Sequence, residues 1–204
     1  MPVFPVFLKL EGRRVVMVGG GRVAASKLRA LLDAQATITV VAPDIVDEIA
    51  GAPVDVVRRR FEPADLEGAC YVVAAAPLDV NADVAAAAQA RGIFVNAVDD
   101  VEHASVYLGA VIRRAGVTVA ISTDGEAPAL AGLMREAIDA LLPEDLEDWM
   151  ACARESRQQW LADGVPMEQR RPLLLEALVE LYRTPKPVAQ GVGPATATAW
   201  KSES

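Results

Sequence analysis

A glycine-rich segment near the start of the chain has the spacing of a dinucleotide-binding loop. Gly19, Gly21 and Ala24 form a G-x-G-x-x-A pattern between the apolar run Val15–Val18 and a helical pattern over Val23–Leu32. In such a motif the first glycine permits a tight turn, the second lets the backbone approach a pyrophosphate, and the small third residue brings helix and strand together. The N–H groups that begin a helix also attract anions. A structural turn without a ligand is the alternative, but this context favours dinucleotide binding.

The end of the second predicted strand, Ile38–Val41, bears on which dinucleotide is bound. An acidic residue at this place usually holds the ribose hydroxyls of NAD, and Asp44 lies there, displaced beyond Pro43. No arginine adjoins Asp44 to receive the 2′-phosphate of NADP, so the sequence favours NAD. Asp44 could also cap the helix that follows, and the two roles can coexist.

Two adjacent acids, Asp99 and Asp100, follow the fifth apolar run, Ile93–Val98. Because the carboxyl ends of parallel strands border the ligand crevice, a carboxylate there can accept a proton as a hydride leaves for a nicotinamide. Acids are equally common in plain turns, and the residues alone leave both interpretations open. The same holds for His103, which is either a solvated surface residue or part of the site.

The segment Ser122–Pro128 is a second loop that runs into a helix. Its hydroxyls and free N–H groups could receive substrate carboxylates, by the same anion-binding principle as the glycine loop. A simple helix-capping turn explains the segment equally well.

The elements that must position these residues alternate along the first half of the chain. Short runs rich in β-branched residues alternate with alanine-rich helical patterns, which is typical of βαβ units and a parallel sheet covered on both faces. The predicted strands are Val15–Val18, Ile38–Val41, Val54–Val57, Tyr71–Ala74 and Ile93–Val98, with Ala82–Ala90 helical before the fifth.

After Val98 the pattern changes. A hairpin is predicted first, and then only helices, up to a tail of residues 185–204 whose composition without periodicity indicates disorder. The hairpin strands are Val106–Ile112 and Val117–Ser122 around a turn at Arg113–Gly116, and the helices are Pro128–Leu142, Glu147–Ala162 and Pro172–Tyr182.

Composition excludes several classes of protein. The chain has 204 residues, 52% of them apolar and 24% charged, which is typical of a globular protein. A net charge of -8 argues against nucleic-acid binding. One histidine cannot build a multi-histidine metal site, and two cysteines cannot build a disulfide framework, so we expect the reducing cytoplasm. The N-terminus does not match a secretory signal, and no apolar run approaches the roughly 18 residues of a membrane span.

Taken together, these motifs resemble the precorrin-2 dehydrogenase family, which includes the N-terminal part of siroheme synthases. The resemblance runs from Phe4 to about Tyr182. Its most specific part is the STxGxxPxLA pattern followed by Arg-Glu, which comes after NxVD at the family's spacing. The segments that carry it are PVFLKLEGRRVVMVGGGRVAASKLRALL, ITVVAP, NAVDD and AISTDGEAPALAGLMREAIDALLP.

The resemblance implies an α/β fold in three parts. A Rossmann-type parallel sheet domain over residues 1–113 would be followed by a small α+β dimerisation segment over 114–145, which exchanges with a partner subunit. A helical domain would then span 146–184. Members form homodimers with the active site at the interface. The implied reaction is NAD-dependent oxidation of precorrin-2, a tetrapyrrole, to sirohydrochlorin on the way to siroheme or cobalamin, and some members also insert Fe²⁺ or Co²⁺.

The resemblance also implies roles for individual residues. Asp99 corresponds to the general base. Arg113, Arg114 and Arg135 are candidate cations for an anionic substrate, although their charge equally permits them to be solvated surface residues. Asp124, in place of a usual glycine, should weaken substrate binding, and Gly132 stands where a basic residue is frequent. The implied cofactor-binding residues are Gly19, Gly20, Gly21, Arg22, Val23, Pro43 and Asp44, and the implied substrate-binding residues are Ser122, Thr123, Gly125 and Arg135.

Two other functions remain as hypotheses. A non-catalytic NAD-sensing module that signals through its helical C-terminus explains the glycine loop, but it leaves Asp99 and the Ser122–Pro128 segment without a role. A dehydrogenase of ordinary alcohols ranks last, because the Tyr-x-x-x-Lys pair or catalytic histidine of such enzymes is missing.

Overall fold

The computed structural model describes residues 3–183. Its main sheet has five parallel strands in the order β3-β2-β1-β4-β5. Strands β2 and β3 are added on one side of β1 and strands β4 and β5 on the other, so the strand order reverses between β1 and β4. This order is that of the Rossmann fold without its sixth strand, and ligands bind at the carboxyl ends beside such a reversal. The predicted fold class is confirmed. The strands are β1 Arg14–Val18, β2 Thr37–Val41, β3 Asp55–Val57, β4 Tyr71–Ala74 and β5 Phe94–Ala97.

Helices cover both faces of this sheet, which is why its strands are apolar at every position rather than at alternate ones. Val15 and Met17 point into a core that includes Leu28, whereas Val16 and Val18 point into a second core that includes Val84. The helices of this region are α1 Arg22–Asp33, α2 Asp47–Ala50 and α3 Leu78–Gln89, with a 3₁₀ turn at Pro63–Leu66.

A separate two-stranded sheet follows, in which β6 is Ala110–Arg114 and β7 is Val117–Ile121. Ala115 and Gly116 join the strands with φ of 51° and 81°, as a type I′ turn requires. The predicted start of β6 at Val106 is wrong.

The reason for the later start lies at the edge of β5. The N–H groups of Ser105 and Val106 donate to the Val95 carbonyl at 2.9 and 3.1 Å, and Ser105 Oγ accepts the Val95 N–H at 2.8 Å. This segment therefore covers the exposed edge of β5 instead of extending β6.

The chain forms two compact units. The first contains the five-stranded sheet up to Ile112 together with Val119–Leu141, and thus includes helix α4, Pro128–Leu141. The second contains the hairpin tip, Arg113–Thr118, and the part of the chain that starts at Leu142. The predicted exchange of residues 114–145 with a partner subunit stays a prediction, and the predicted tail lies outside the described residues.

The second unit is built around two antiparallel helices, α5 Leu146–Ala162 and α6 Met167–Arg183. The Trp149 indole N–H donates to the Tyr182 hydroxyl at 2.7 Å, which joins the start of α5 to the end of α6. The predicted start of α6 at Pro172 is wrong, since the helix begins at Met167 and contains the proline. Two bonds of the Arg170 guanidinium to the Val165 carbonyl, at 3.0 and 2.8 Å, stabilise the earlier start. Among the described helices, none is both long and apolar enough to cross a membrane.

Candidate active site

The glycine loop is fixed between the ends of two neighbouring strands. Gly19 has φ of 124°, which favours glycine, and its N–H donates to the Val41 carbonyl at 3.0 Å. A Cβ atom at Gly19 would collide with the Ala75 carbonyl, and one at Gly20 would collide with the Asp44 carbonyl. Both glycines therefore let the loop pass close to neighbouring backbone.

Gly21 differs from its two neighbours because its surroundings are open. A Cβ atom there would meet no atom within 4 Å. Gly21 is the residue before α1, which has neither a side-chain cap nor an acidic residue in its first turn. The N–H groups that begin α1 therefore have no acceptor from a capping side chain. This unfilled space beside free N–H donors fits a pyrophosphate.

The loop forms one wall of a cavity of about 730 Å³, the cofactor cavity, at the carboxyl ends of β1 to β4. Of the seven predicted cofactor residues, five line it. The other two, Arg22 and Val23, are exposed residues that begin α1 and do not line this cavity. The predicted residues that line it are Gly19, Gly20, Gly21, Pro43 and Asp44.

Two further residues of the cofactor cavity, Arg60 and Phe61, are absent from the sequence-based prediction. They follow β3, which pairs with β2, so the topology brings them to the same cavity as Asp44. No arginine adjoins Asp44 along the chain, but Arg60 lines the same cavity. The run of three arginines that ends at Arg60 was the available signal, but only the strand order shows where it lies.

An ion pair fixes the segment that carries Arg60 and Phe61. The Arg59 guanidinium donates to both carboxylate oxygens of Asp65, at 2.8 and 2.6 Å, and to the Arg60 carbonyl at 2.9 Å. The Asp65 side chain is only 9% exposed and also accepts the Glu62 N–H at 2.8 Å. The hydrogen bond from Arg59 is the main reason that the pKa of Asp65 lies below its ordinary value of 3.8.

Asp65→Asn should therefore lower the free energy of unfolding at neutral pH. Because the folded-state pKa of Asp65 is lowered, its contribution is fully present above pH 3.8 and is lost as the pH falls through the folded-state value. Denaturant titrations of both proteins from neutral to strongly acid pH should show a difference that shrinks in that acid range. A difference independent of pH would contradict this role of the ionised carboxylate.

Asp99 lines a second cavity of about 510 Å³, the Asp99 cavity. Ser122, Thr123 and Gly125, three of the four predicted substrate-binding residues, line it as well. Arg135 does not line this cavity; it lies on α4 and forms an ion pair with Glu136 at 3.2 Å. The structure thus brings the turn after β5 and the Ser122–Pro128 segment to one cavity.

The position of Asp99 follows from the sheet. It lies two residues beyond the end of β5, at the same carboxyl edge as Gly19 beyond β1, with β4 between them. Asp99 is exposed, and within residues 3–183 its carboxylate has no hydrogen-bond or ion-pair partner. An unpaired carboxylate on a cavity wall can accept a proton from a molecule bound there.

The loop at Ser122 also caps α4. Thr123 Oγ1 accepts the Ala127 N–H at 3.2 Å, and Ser122 Oγ accepts the Asp124 N–H at 3.1 Å. Both hydroxyls thus accept backbone N–H groups of this segment, in agreement with the capping interpretation. Ser122 and Thr123 also line the Asp99 cavity.

Lys27 is the cation that the sequence-based prediction missed. It projects from α1, is half-buried, and is the only lysine or arginine among the residues that line the Asp99 cavity. Arg113 and Arg114, the cations proposed from sequence, do not line the cavity, and the Arg114 guanidinium donates to the Pro143 carbonyl at 2.9 Å. A single lysine in a helical pattern gives no signal of its own.

No resident metal site is evident in the part of the chain that the structure describes. Over residues 3–183 there is no group of three or more His, Cys, Asp or Glu side chains that could hold a metal ion.

Comparison with known proteins identifies the family. Residues 6–110, slightly more than half of the chain, match the family NAD_binding_7, described as NAD(P)-binding. Siroheme synthase 1 of Aeromonas salmonicida is 40% identical over 196 residues, and the siroheme synthase of Tolumonas auensis is 41% identical over 162. The chain belongs to the precorrin-2 dehydrogenase and siroheme synthase N-terminal family. The predicted resemblance is thereby confirmed, and so is a nicotinamide cofactor.

The relatives differ from this chain in length. The matches cover 94% and 78% of this chain but only 42% and 35% of the two siroheme synthases. A solved structure of a comparable length, titled SirC, precorrin-2 dehydrogenase, superposes with a TM-score of 0.67 and 28% identity. That match covers 89% of this chain and 92% of SirC.

Proposed function

We propose that this protein catalyses NAD-dependent dehydrogenation of precorrin-2 to sirohydrochlorin in the cytoplasm, on a route to siroheme or cobalamin. The observation that carries the proposal is the placement of the cofactor cavity and the Asp99 cavity at the carboxyl edge of one parallel sheet. The likeness to SirC, which extends over most of both chains, supports the same reaction.

The residues of the cofactor cavity have distinct parts in this proposal. The backbone N–H groups that follow Gly21 bind the pyrophosphate, and the Asp44 carboxylate accepts hydrogen bonds from ribose hydroxyls. A nicotinamide bound there supplies the hydride acceptor. Asp99 takes the proton that leaves the tetrapyrrole, because its carboxylate is unpaired and lies on the wall of the neighbouring cavity.

The choice of NAD over NADP rests on Asp44, whose negative charge would repel a 2′-phosphate. Arg60 lines the same cavity and provides the opposite charge. Measuring KM for both cofactors in the wild type and in Asp44→Ala tests the choice. We expect a lower KM for NAD⁺ than for NADP⁺ in the wild type, and a smaller preference in the variant. A wild type that prefers NADP⁺ would overturn this part of the proposal.

One experiment separates catalysis from NAD sensing. Purified protein is mixed with precorrin-2 and NAD⁺, and the absorbance of NADH is followed, with mixtures that lack either compound as controls. Appearance of NADH only in the complete mixture supports the dehydrogenase. Binding of NAD⁺ without NADH formation would favour the sensing module. Metal insertion, for which the metal would be a substrate held by the macrocycle nitrogens, stays a prediction from the resemblance.

A homodimer belongs to the same proposal. In the first unit, Phe4, Phe7 and Leu141 expose 86%, 73% and 82% of their surface, which is unusual for large apolar side chains. A second copy of the chain could cover them. Light scattering behind a sizing column tests this, since a monomer at micromolar concentration would contradict it.

Lys27→Met should raise KM for precorrin-2 with little change in kcat. A charged hydrogen bond to a substrate carboxylate contributes about 1.5–3 kcal/mol, and Lys27 is half-buried, so we expect a rise of about tenfold. Lys27→Arg keeps the charge and should recover most of the affinity. Lys9→Met, at an exposed position outside both cavities, is the matched control. An unchanged KM in Lys27→Met would remove Lys27 from substrate binding.

A further inference from the structure

Asp100 and His103 form a tightly bonded pair directly beside Asp99. His103 Nδ1 lies 2.8 and 2.9 Å from the two carboxylate oxygens of Asp100, and the His103 backbone N–H donates to Oδ1 at 3.3 Å. The Asp100 side chain is only 8% exposed, whereas that of His103 is 41% exposed. One carboxylate thus closes the turn through two groups of the same residue.

This turn begins with an unusual backbone conformation. Asp99 has φ of 58°, in the left-handed region, which residues other than glycine adopt uncommonly and aspartate more readily than most. Asp100 is the next residue, so contacts that anchor Asp100 also restrain the peptide bond between Asp99 and Asp100. The described contacts that anchor Asp100 are those with His103.

The two acids therefore have different environments. Asp99 is exposed and its carboxylate is unpaired, while the Asp100 carboxylate, on the same cavity wall, is bonded to His103. His103 itself lines a different cavity, with Glu102 and the end of α3, and does not line the Asp99 cavity. His103 can thus act on the site through Asp100 and the turn.

We propose that the Asp100–His103 pair is a positioning device that holds the Asp99 carboxylate towards the bound substrate. The inference rests on the proposed function in so far as Asp99 is the base. Its physical reason is that proton transfer requires an alignment so close that an error of about 1 Å costs on the order of 100-fold in rate. His103 is a positioning residue, since it acts through its neighbour.

Two substitutions of His103 separate positioning from packing. His103→Ala removes the side-chain donor to Asp100. His103→Asn keeps an N–H donor close to the place of Nδ1. We expect kcat to fall about 10- to 100-fold in His103→Ala, with KM for NAD⁺ and for precorrin-2 unchanged, and to recover most of its value in His103→Asn. Glu102→Gln, a neighbour without a hydrogen bond to Asp100, is the control.

Hydrogen exchange of the amides of residues 99–103 is the second measurement, because it needs no substrate. Exchange should be about tenfold faster in His103→Ala and close to wild type in His103→Asn. Unchanged exchange in His103→Ala would overturn the inference, and so would faster exchange with unchanged kcat. A wild type that does not oxidise precorrin-2 would reject the proposed function, and exchange alone would then decide whether the pair holds the turn.

Discussion

Asp99→Asn should abolish nearly all turnover of precorrin-2 while leaving the Kd for NAD⁺ unchanged. A positioned general base contributes about 10²- to 10⁴-fold to a rate, and no other residue on the wall of the Asp99 cavity carries an unpaired carboxylate in the described chain. Asparagine matches aspartate in size and tolerates the positive φ at this position. Steady-state kinetics and a calorimetric titration with NAD⁺ give the two quantities.

The controls for this substitution address folding and charge. Asp99→Ala should lose turnover to a similar extent. Asp33→Asn, which removes one charge from an exposed residue at the end of α1, should leave kcat unchanged. Turnover of Asp99→Asn within a factor of two of the wild type would remove Asp99 from the mechanism.

Gly21→Val should weaken NAD⁺ binding at least tenfold with little change in stability. A side chain at Gly21 would meet no protein atom, so the fold accommodates it, but it would enter the space in which we place the pyrophosphate. The φ of -87° at Gly21 is open to any residue. A tenfold loss corresponds to about 1.4 kcal/mol. Calorimetric titration gives the Kd, and thermal unfolding without cofactor gives Tm.

Gly19→Ala is the matched contrast to Gly21→Val. There the added Cβ would overlap the Ala75 carbonyl at a φ of 124°, so we expect a loss of stability of roughly 2–4 kcal/mol. The two variants thus separate a glycine required by the fold from a glycine required by the ligand. Unchanged NAD⁺ affinity in Gly21→Val would place the pyrophosphate elsewhere.

The sequence predicted the main sheet well because each strand is an apolar run bounded by clear turn residues. Tyr71–Ala74 was predicted with its observed bounds, and Val15–Val18 differs from β1 by one residue. The errors have a common cause, since tertiary contacts override local pattern. Val106 belongs to no strand because its N–H donates a hydrogen bond to Val95 in β5. Helix α6 begins before Pro172 because the Arg170 side chain donates hydrogen bonds to the Val165 carbonyl and stabilises the first turn.

Site residues could be predicted from the sequence where they directly follow the end of a predicted strand. Asp99 and Asp44 each follow a strand end, so a parallel sheet alone places them at one edge. Lys27 and Arg60 reach the cavities through the packing of α1 and the pairing of β2 with β3, which no local motif reveals. Arg135 was predicted to bind substrate because it belongs to a family motif, but it does not line the Asp99 cavity.

A crystal structure of the protein with NAD⁺ and sirohydrochlorin tests the central claim most directly. We expect the pyrophosphate to accept hydrogen bonds from the N–H groups that begin α1. We expect the macrocycle to fill the Asp99 cavity with a carbon about 3–3.5 Å from the Asp99 carboxylate. A macrocycle bound on another surface, with Asp99 facing only solvent, would contradict the proposed reaction.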